Sequence, residues 1–128
     1  MEYRFTKHYT RDEARALLPQ IRVWLAQIKQ LRVEVERYDN RLSGLTADGQ
    51  DTGGDTVNSW IRAISSLQAV LVEFERREIS IKDVERGLLD FPAIMGDKEV
   101  FLCWEADEDD IEFWHDLETG YGGRERLE

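Results

Sequence analysis

Apolar residues recur on a seven-residue frame through the first third of the chain. Ala14, Ile21, Ile28, Val35 and Leu42 occupy one position of that frame, and Leu17, Trp24, Leu31 and Tyr38 occupy another. A repeat this close to two helical turns predicts one long amphipathic helix. The stretch Thr10-Arg11-Asp12-Glu13 just before it matches the capping box, in which the Thr hydroxyl and the Glu carboxylate each satisfy an orphan backbone N–H. The helix is therefore expected over residues 11–43. Pro19 removes one backbone donor and crowds the preceding turn, yet the frame runs through it unshifted, so a kink is expected rather than a break. Leu18 and Leu25 widen the stripe beyond a two-stranded seam, as a helix with more than one neighbour requires.

Residues 44–56 are rich in Gly, Asp and Thr and read as a polar, exposed connection. Gly49, Gly53 and Gly54 do not make a phosphate loop, because no Lys follows at the required spacing and no strand precedes them. The apolar frame then resumes, with Val57, Ile64 and Leu71 at one position and Trp60, Leu67, Phe74 and Ile81 at the other, and predicts a second helix over 57–77. Two such helices joined by a polar loop form an antiparallel hairpin with coiled-coil-like packing. At 1.5 Å per residue the first spans roughly 50 Å and the second roughly 33 Å. The longer helix keeps an apolar stripe its partner cannot cover, which predicts a homodimer formed through that stripe. Trp24 and Trp60, both on the seams, are expected in the core.

Past residue 78 the period changes. Ile79 and Ile81 alternate with polar residues, Leu88-Leu89-Asp90-Phe91 ends at Pro92, Gly96-Asp97 is a turn signal, and Val100-Phe101-Leu102-Cys103-Trp104 is a short apolar run. With Ile111, Phe113 and the Trp114-His115 pair as a third strand, residues 79–119 are expected to form a small antiparallel sheet. The glycines of Gly120-Tyr121-Gly122-Gly123-Arg124 predict a loop-like tail over 120–128. The expected fold class is α+β in a single domain, 1–128.

The chain has 128 residues and a formal net charge of -10. Residues 87–128 hold three basic and 13 acidic side chains, whereas residues 1–46 carry a net +3. The run from Glu105 to Glu118 has no Lys or Arg. It repels phosphate backbones, so no nucleic-acid partner is expected. It also lacks the alternation, central Gly and closing Glu of a calcium loop, which leaves a solvated loop as the plain reading. No apolar window approaches the roughly 18 residues of a membrane span, and Met1-Glu2-Tyr3-Arg4-Phe5 has no apolar signal core. Neither a membrane association nor an exported form is expected, and the location that follows is cytoplasmic. One cysteine, Cys103, precludes an internal disulfide, and with two histidines it gives no zinc-finger spacing. No cofactor or metal is expected on composition.

Five blocks of residues resemble a bacterial and archaeal family, the domain of unknown function 2203. They are Tyr9-Thr10 with Glu13-Ala14 and Leu17-Leu18-Pro19; Gly87-Leu88-Leu89-Asp90-Phe91-Pro92-Ala93; Leu102-Cys103-Trp104; Phe113-Trp114-His115; and Gly120-Tyr121-Gly122-Gly123-Arg124. The resemblance covers nearly the whole chain, and the last three blocks are the specific ones. The chain departs from the family pattern at Tyr9, where the family has Phe, at Glu78, near which it has Gly, and at Asp107, where it has Gly before the acid at Glu108. The resemblance implies no particular activity.

These blocks set polar or reactive groups beside aromatics, which is how sites with shifted protonation arise. The ligand-binding candidates are Asp90, Cys103, Trp104, Glu108, Trp114, His115 and Arg124. A bland role is available for each of the polar ones: a turn or cap for Asp90, a small buried hydrophobe for Cys103, a structural hydrogen bond for His115, and an ion pair pinning the tail for Arg124. A Cys103–His115 nucleophile with Asp90 or Glu108 as orienting acid would need an oxyanion hole that nothing in the sequence supplies. No catalytic residue is assigned on that basis. Cys103, Glu108 and His115 are the residue types that could hold a metal ion if one were bound. A non-enzymatic interaction or scaffold protein is therefore the expected role, with a small-ligand or metal-binding site, catalytic or not, built from Asp90, Cys103, Glu108, His115 and Arg124 as the alternative.

Overall fold

The computed structural model describes residues 2–47 and 54–128. Two helices, α1 (Arg11–Ala47) and α2 (Gly54–Arg76), are followed by strands β1 (Ser80–Asp83), β2 (Leu88–Met95), β3 (Lys98–Trp104), β4 (Phe113–Asp116) and β5 (Glu125–Arg126). The strands form one antiparallel sheet in chain order, β1-β2-β3-β4-β5. The fold is α+β, as the periodicities predict. Among the described residues no helix is long and apolar enough to cross a membrane.

The start of α1 follows the capping box: the Glu13 amide donates to Thr10 Oγ1 at 3.1 Å and the Thr10 amide to Glu13 Oε1 at 2.9 Å. The helix continues through Pro19 without interruption. It also extends past the expected end at 43, and α2 begins before the expected 57. Helix thus claims residues 44–47 and 54–56 of the expected loop, and Leu45 and Val57 at its two edges are partly buried. The centre of that loop, 48–53, lies outside the described residues. At the far end Glu78 takes φ 57°, the left-handed turn that closes many helices.

The sheet has two unlike faces. Leu89, Phe91 and Ala93 of β2 and Val100, Leu102 and Trp104 of β3 point toward the helices and share one core with Ala14, Leu18, Ile21, Leu25, Ile28 and Phe74. Burying each large apolar side chain in this layer contributes about 1.5–3 kcal/mol. The register places Asp90 opposite Cys103, Cys103 opposite Phe113 and Phe101 opposite His115 on the other face. That face is covered by the chain termini. Phe5 meets Phe101 edge-on at 5.4 Å, and the Arg124 guanidinium lies 3.8 Å from the centre of the Phe113 ring.

Pro92, expected to end its strand, sits inside β2 opposite Phe101. A residue's N–H and C=O point to the same side of an extended strand, and the Pro92 carbonyl accepts from the Tyr9 amide at 2.7 Å. Its missing donor therefore faces away from β3, beyond the end of β1, where only an acceptor is needed. The tail also differs from the loop expected. Tyr121–Gly123 form a short 3-10 turn, and Glu125–Arg126 add the fifth strand against β4.

The sheet covers only half of the hairpin. Ala14, Leu18, Ile21, Leu25 and Ile28 are 0–5% exposed, whereas Leu31, Val35, Tyr38 and Leu42, further along the same helix, are only partly buried. Trp60, expected in the core, lies on this projecting arm and is likewise partly buried. Its indole donates to Asp39 Oδ1 at 2.7 Å and ties α2 to α1.

Candidate functional site

Three adjacent strands bring Asp90, Cys103 and His115 together on the outer face of the sheet. One ligand-type atom from each lies within 4.8 Å of the other two. The three residues are 2%, 1% and 2% exposed. Asp90 and Cys103 are paired across β2 and β3, and His115 enters diagonally from β4. His115 Nε2 is 2.9 Å from Asp90 Oδ1, and Nδ1 is 2.7 Å from the Asp116 carbonyl oxygen. A carbonyl can only accept, so Nδ1 donates and the imidazole orientation is fixed. The contact between Nε2 and Oδ1 then holds one shared proton.

Both imidazole nitrogens are engaged, so neither is free to take a proton from the thiol. Burial, reinforced by the Asp90 carboxylate and opposed by Arg124, pushes the Cys103 thiol up to about 11. The nucleophile is thus a protonated thiol, and the Cys103–His115 dyad that the sequence allowed does not form.

Glu108 and Arg124 flank the cluster beside Cys103. Arg124 Nη2 donates to Glu108 Oε2 at 2.6 Å, and Nη1 approaches Glu108 Oε1 at 3.4 Å and Cys103 Sγ at 3.9 Å. The guanidinium is stacked near Phe113 and Tyr121, whose ring centres lie 3.8 and 4.4 Å from it. Glu108 also accepts from the Glu105 amide at 2.9 Å, which closes the turn after β3. Trp104 and Arg22 brace that turn from the helix side: the Trp104 indole and Arg22 Nη2 both donate to the Glu108 carbonyl at 3.0 Å.

The candidates therefore separate into three places. Asp90, Cys103 and His115 form the cluster, and Glu108 and Arg124 flank it. Trp104 and Trp114 lie on the opposite face and belong to the core and its margin, because alternation along a strand sends neighbours in sequence to opposite sides. Glu108, taken from sequence as a possible metal ligand, is drawn to Arg124, and Asp90 stands in its place. Phe113, Tyr121 and Arg22 were not among the candidates. The glycine-flanked Tyr121 was the one available signal.

The acidic run is not the freely solvated loop expected. Glu105 pairs with Arg86 at 2.7 Å, Asp110 with Arg15 at 2.7 Å, Asp116 with Lys98 at 2.5 Å and Glu118 with Arg4 at 2.7 Å. Arg86, held by Glu105, lies 4.5 Å from the centre of the Tyr121 ring, so Tyr121 sits against two guanidinium groups. Four carboxylates of the run thus pair with basic residues elsewhere in the chain, while Asp107 and Asp109 stay exposed.

No curated protein and no solved structure matches the chain. The model of one family, described as an uncharacterized conserved protein, matches residues 7–127 and spans every block that suggested the resemblance. The chain belongs to the DUF2203 family.

Proposed function

We propose that the protein is a non-enzymatic interaction module that acts as a homodimer, the projecting arms of two copies pairing into a four-helix bundle. The observation that carries this is the step in burial along α1. One apolar stripe is sealed by the sheet up to Ile28 and left half-covered from Leu31 to Leu42, with Val57, Trp60 and Ile64 half-covered beside it on α2. Two helices alone cannot enclose such a stripe, and four can.

Charge favours a second copy as the occupant. The arm mixes Lys29, Arg32, Arg37 and Arg41 with Glu34, Glu36 and Asp39, while the acidic excess lies at 87–128, near the sheet. Contact through the arms keeps the two acidic ends apart and sets opposite charges along the seam. The buried cluster on the sheet gives no support to an enzymatic reading, since its thiol is protonated and its three side chains are 1–2% exposed.

Sedimentation velocity at tens of micromolar tests the proposal. Wild-type protein is expected as a dimer. A double variant, Leu31→Lys with Val35→Lys, is expected as a monomer with unchanged helix content, because both positions retain access to solvent. A monomeric wild type would overturn the proposal.

A further inference from the structure

The geometry points to Asp90, Cys103 and His115 as a mononuclear site for a first-row divalent cation, with zinc the best match. The sequence places Cys103 and His115 among the residues able to hold a metal, with Glu108 where the fold puts Asp90, and the inference goes beyond the dimer proposed above. It rests on three features of the cluster.

The first is the donor set. A thiolate, an imidazole and a carboxylate together suit zinc or its first-row neighbours and not magnesium or calcium, which take oxygen ligands. The second is placement. The three donors come from three hydrogen-bonded strands, so the backbone holds them without loop ordering, and their ligand atoms already lie within 4.8 Å of one another. Zinc–nitrogen and zinc–oxygen bonds of about 2.0–2.1 Å put neighbouring ligands roughly 3.3 Å apart in a tetrahedron. The observed 2.9 Å between His115 Nε2 and Asp90 Oδ1 then needs to open by only a few tenths of an ångström.

The third feature is the outer shell. Metal-bound histidines commonly give their second ring N–H to a carbonyl or carboxylate, and His115 Nδ1 is held by the Asp116 carbonyl at 2.7 Å. Arg124 approaches the sulfur at 3.9 Å and is itself fixed by Glu108. An N–H donor at that position stabilises a bound thiolate. A divalent cation displaces the Cys103 thiol proton and the proton shared by His115 and Asp90, both released to solvent, so the buried charge does not change. Three protein ligands leave one tetrahedral position for a small exogenous donor.

Cobalt(II) is the probe. The full chain is unfolded, stripped with chelator, refolded with cobalt(II) and passed through a desalting column. The expected result is one cobalt retained per chain, with a sulfur-to-cobalt charge-transfer band in the near ultraviolet and visible bands of tetrahedral intensity. Cys103→Ser is expected to lose the charge-transfer band, and Arg124→Gln to weaken retention about 10–100-fold while keeping it. Because His115→Ala risks misfolding, His115→Gln and Asp90→Asn serve beside it, each checked by circular dichroism. The inference is overturned if refolded wild type retains no cobalt. It is equally overturned if Cys103→Ser binds with an unchanged spectrum.

Discussion

Replacing Gly87 with alanine tests whether the turn before β2 is as tightly fitted as the structure has it. Gly87 and Gly96 have nearly the same backbone, φ 65° and 64°, so an added methyl meets the same left-handed penalty of about 1–2 kcal/mol at both. The surroundings differ. At Gly96 a Cβ meets nothing within 4 Å, whereas at Gly87 it comes to 2.5 Å from the Ala106 Cβ and 3.4 Å from Leu25 Cδ1. The Ala106 backbone has little room to retreat, because its amide donates to the Arg86 carbonyl at 3.3 Å and its carbonyl accepts from Arg22 at 2.8 Å. Overpacking of this kind adds about 1–3 kcal/mol, and the lower entropy of the unfolded alanine chain returns about 0.4–1 kcal/mol in each variant.

The expected loss is therefore about 1–4.5 kcal/mol for Gly87→Ala and about 0–1.5 kcal/mol for Gly96→Ala, a difference of about 1–3 kcal/mol. In urea unfolding followed by circular dichroism, the two midpoints should separate clearly with similar slopes. The cobalt retention proposed above should weaken in Gly87→Ala alone, since the displaced turn carries Glu108. Equal destabilisation of the two variants would refute the reasoning, because the shared φ would then account for everything and the Ala106 contact for nothing.

Two further outcomes follow from the charge arrangement. The Arg86 hydrogen bond, opposed by burial, holds the Glu105 carboxyl below its ordinary value of 4.5; its contribution is present above that value and is lost as the pH falls through the lowered folded one. Glu105→Gln should thus be less stable than wild type at neutral pH, with a gap that narrows as the pH falls below 4.5, and a gap that never narrows on acidification would contradict the pairing. In metal-free protein the raised Cys103 thiol should react with a disulfide reagent at least about a hundredfold more slowly folded than unfolded at neutral pH. Stability should also fall as the pH climbs from the ordinary thiol value toward 11, since the unfolded chain loses that proton first. A folded rate close to the unfolded one would show that the thiol is not enclosed.

The parts of the fold that local chemistry controls were legible from neighbouring residues alone. The capping box at Thr10 and Glu13, the long frame from Ala14 to Leu42 and the Gly96-Asp97 turn each appear where their residues indicate. Pro92 was misjudged because its tolerance depends on which side of β2 lacks a neighbour, a fact set by the length of β1 and the path of Tyr9. The acidic run was misjudged for a similar reason: Arg4 and Arg15 reach it across more than 90 residues of chain. At the site, Asp90, Cys103 and His115 were legible as residues. Their meeting depends on a register that pairs Asp90 with Cys103 and brings β4 alongside, and no spacing encodes that register. Strand alternation also removes Trp104 and Trp114 from the site, a consequence that follows once the strands are known.

Pairing of the projecting arms doubles the mass of the particle, which native mass spectrometry of the intact chain reads without a label. Wild-type protein sprayed at tens of micromolar is expected at twice the 15.0 kDa chain mass, and the Leu31→Lys, Val35→Lys variant at the single-chain mass under the same conditions. Wild type recorded at the single-chain mass, or both proteins at the doubled mass, would contradict arm-to-arm pairing.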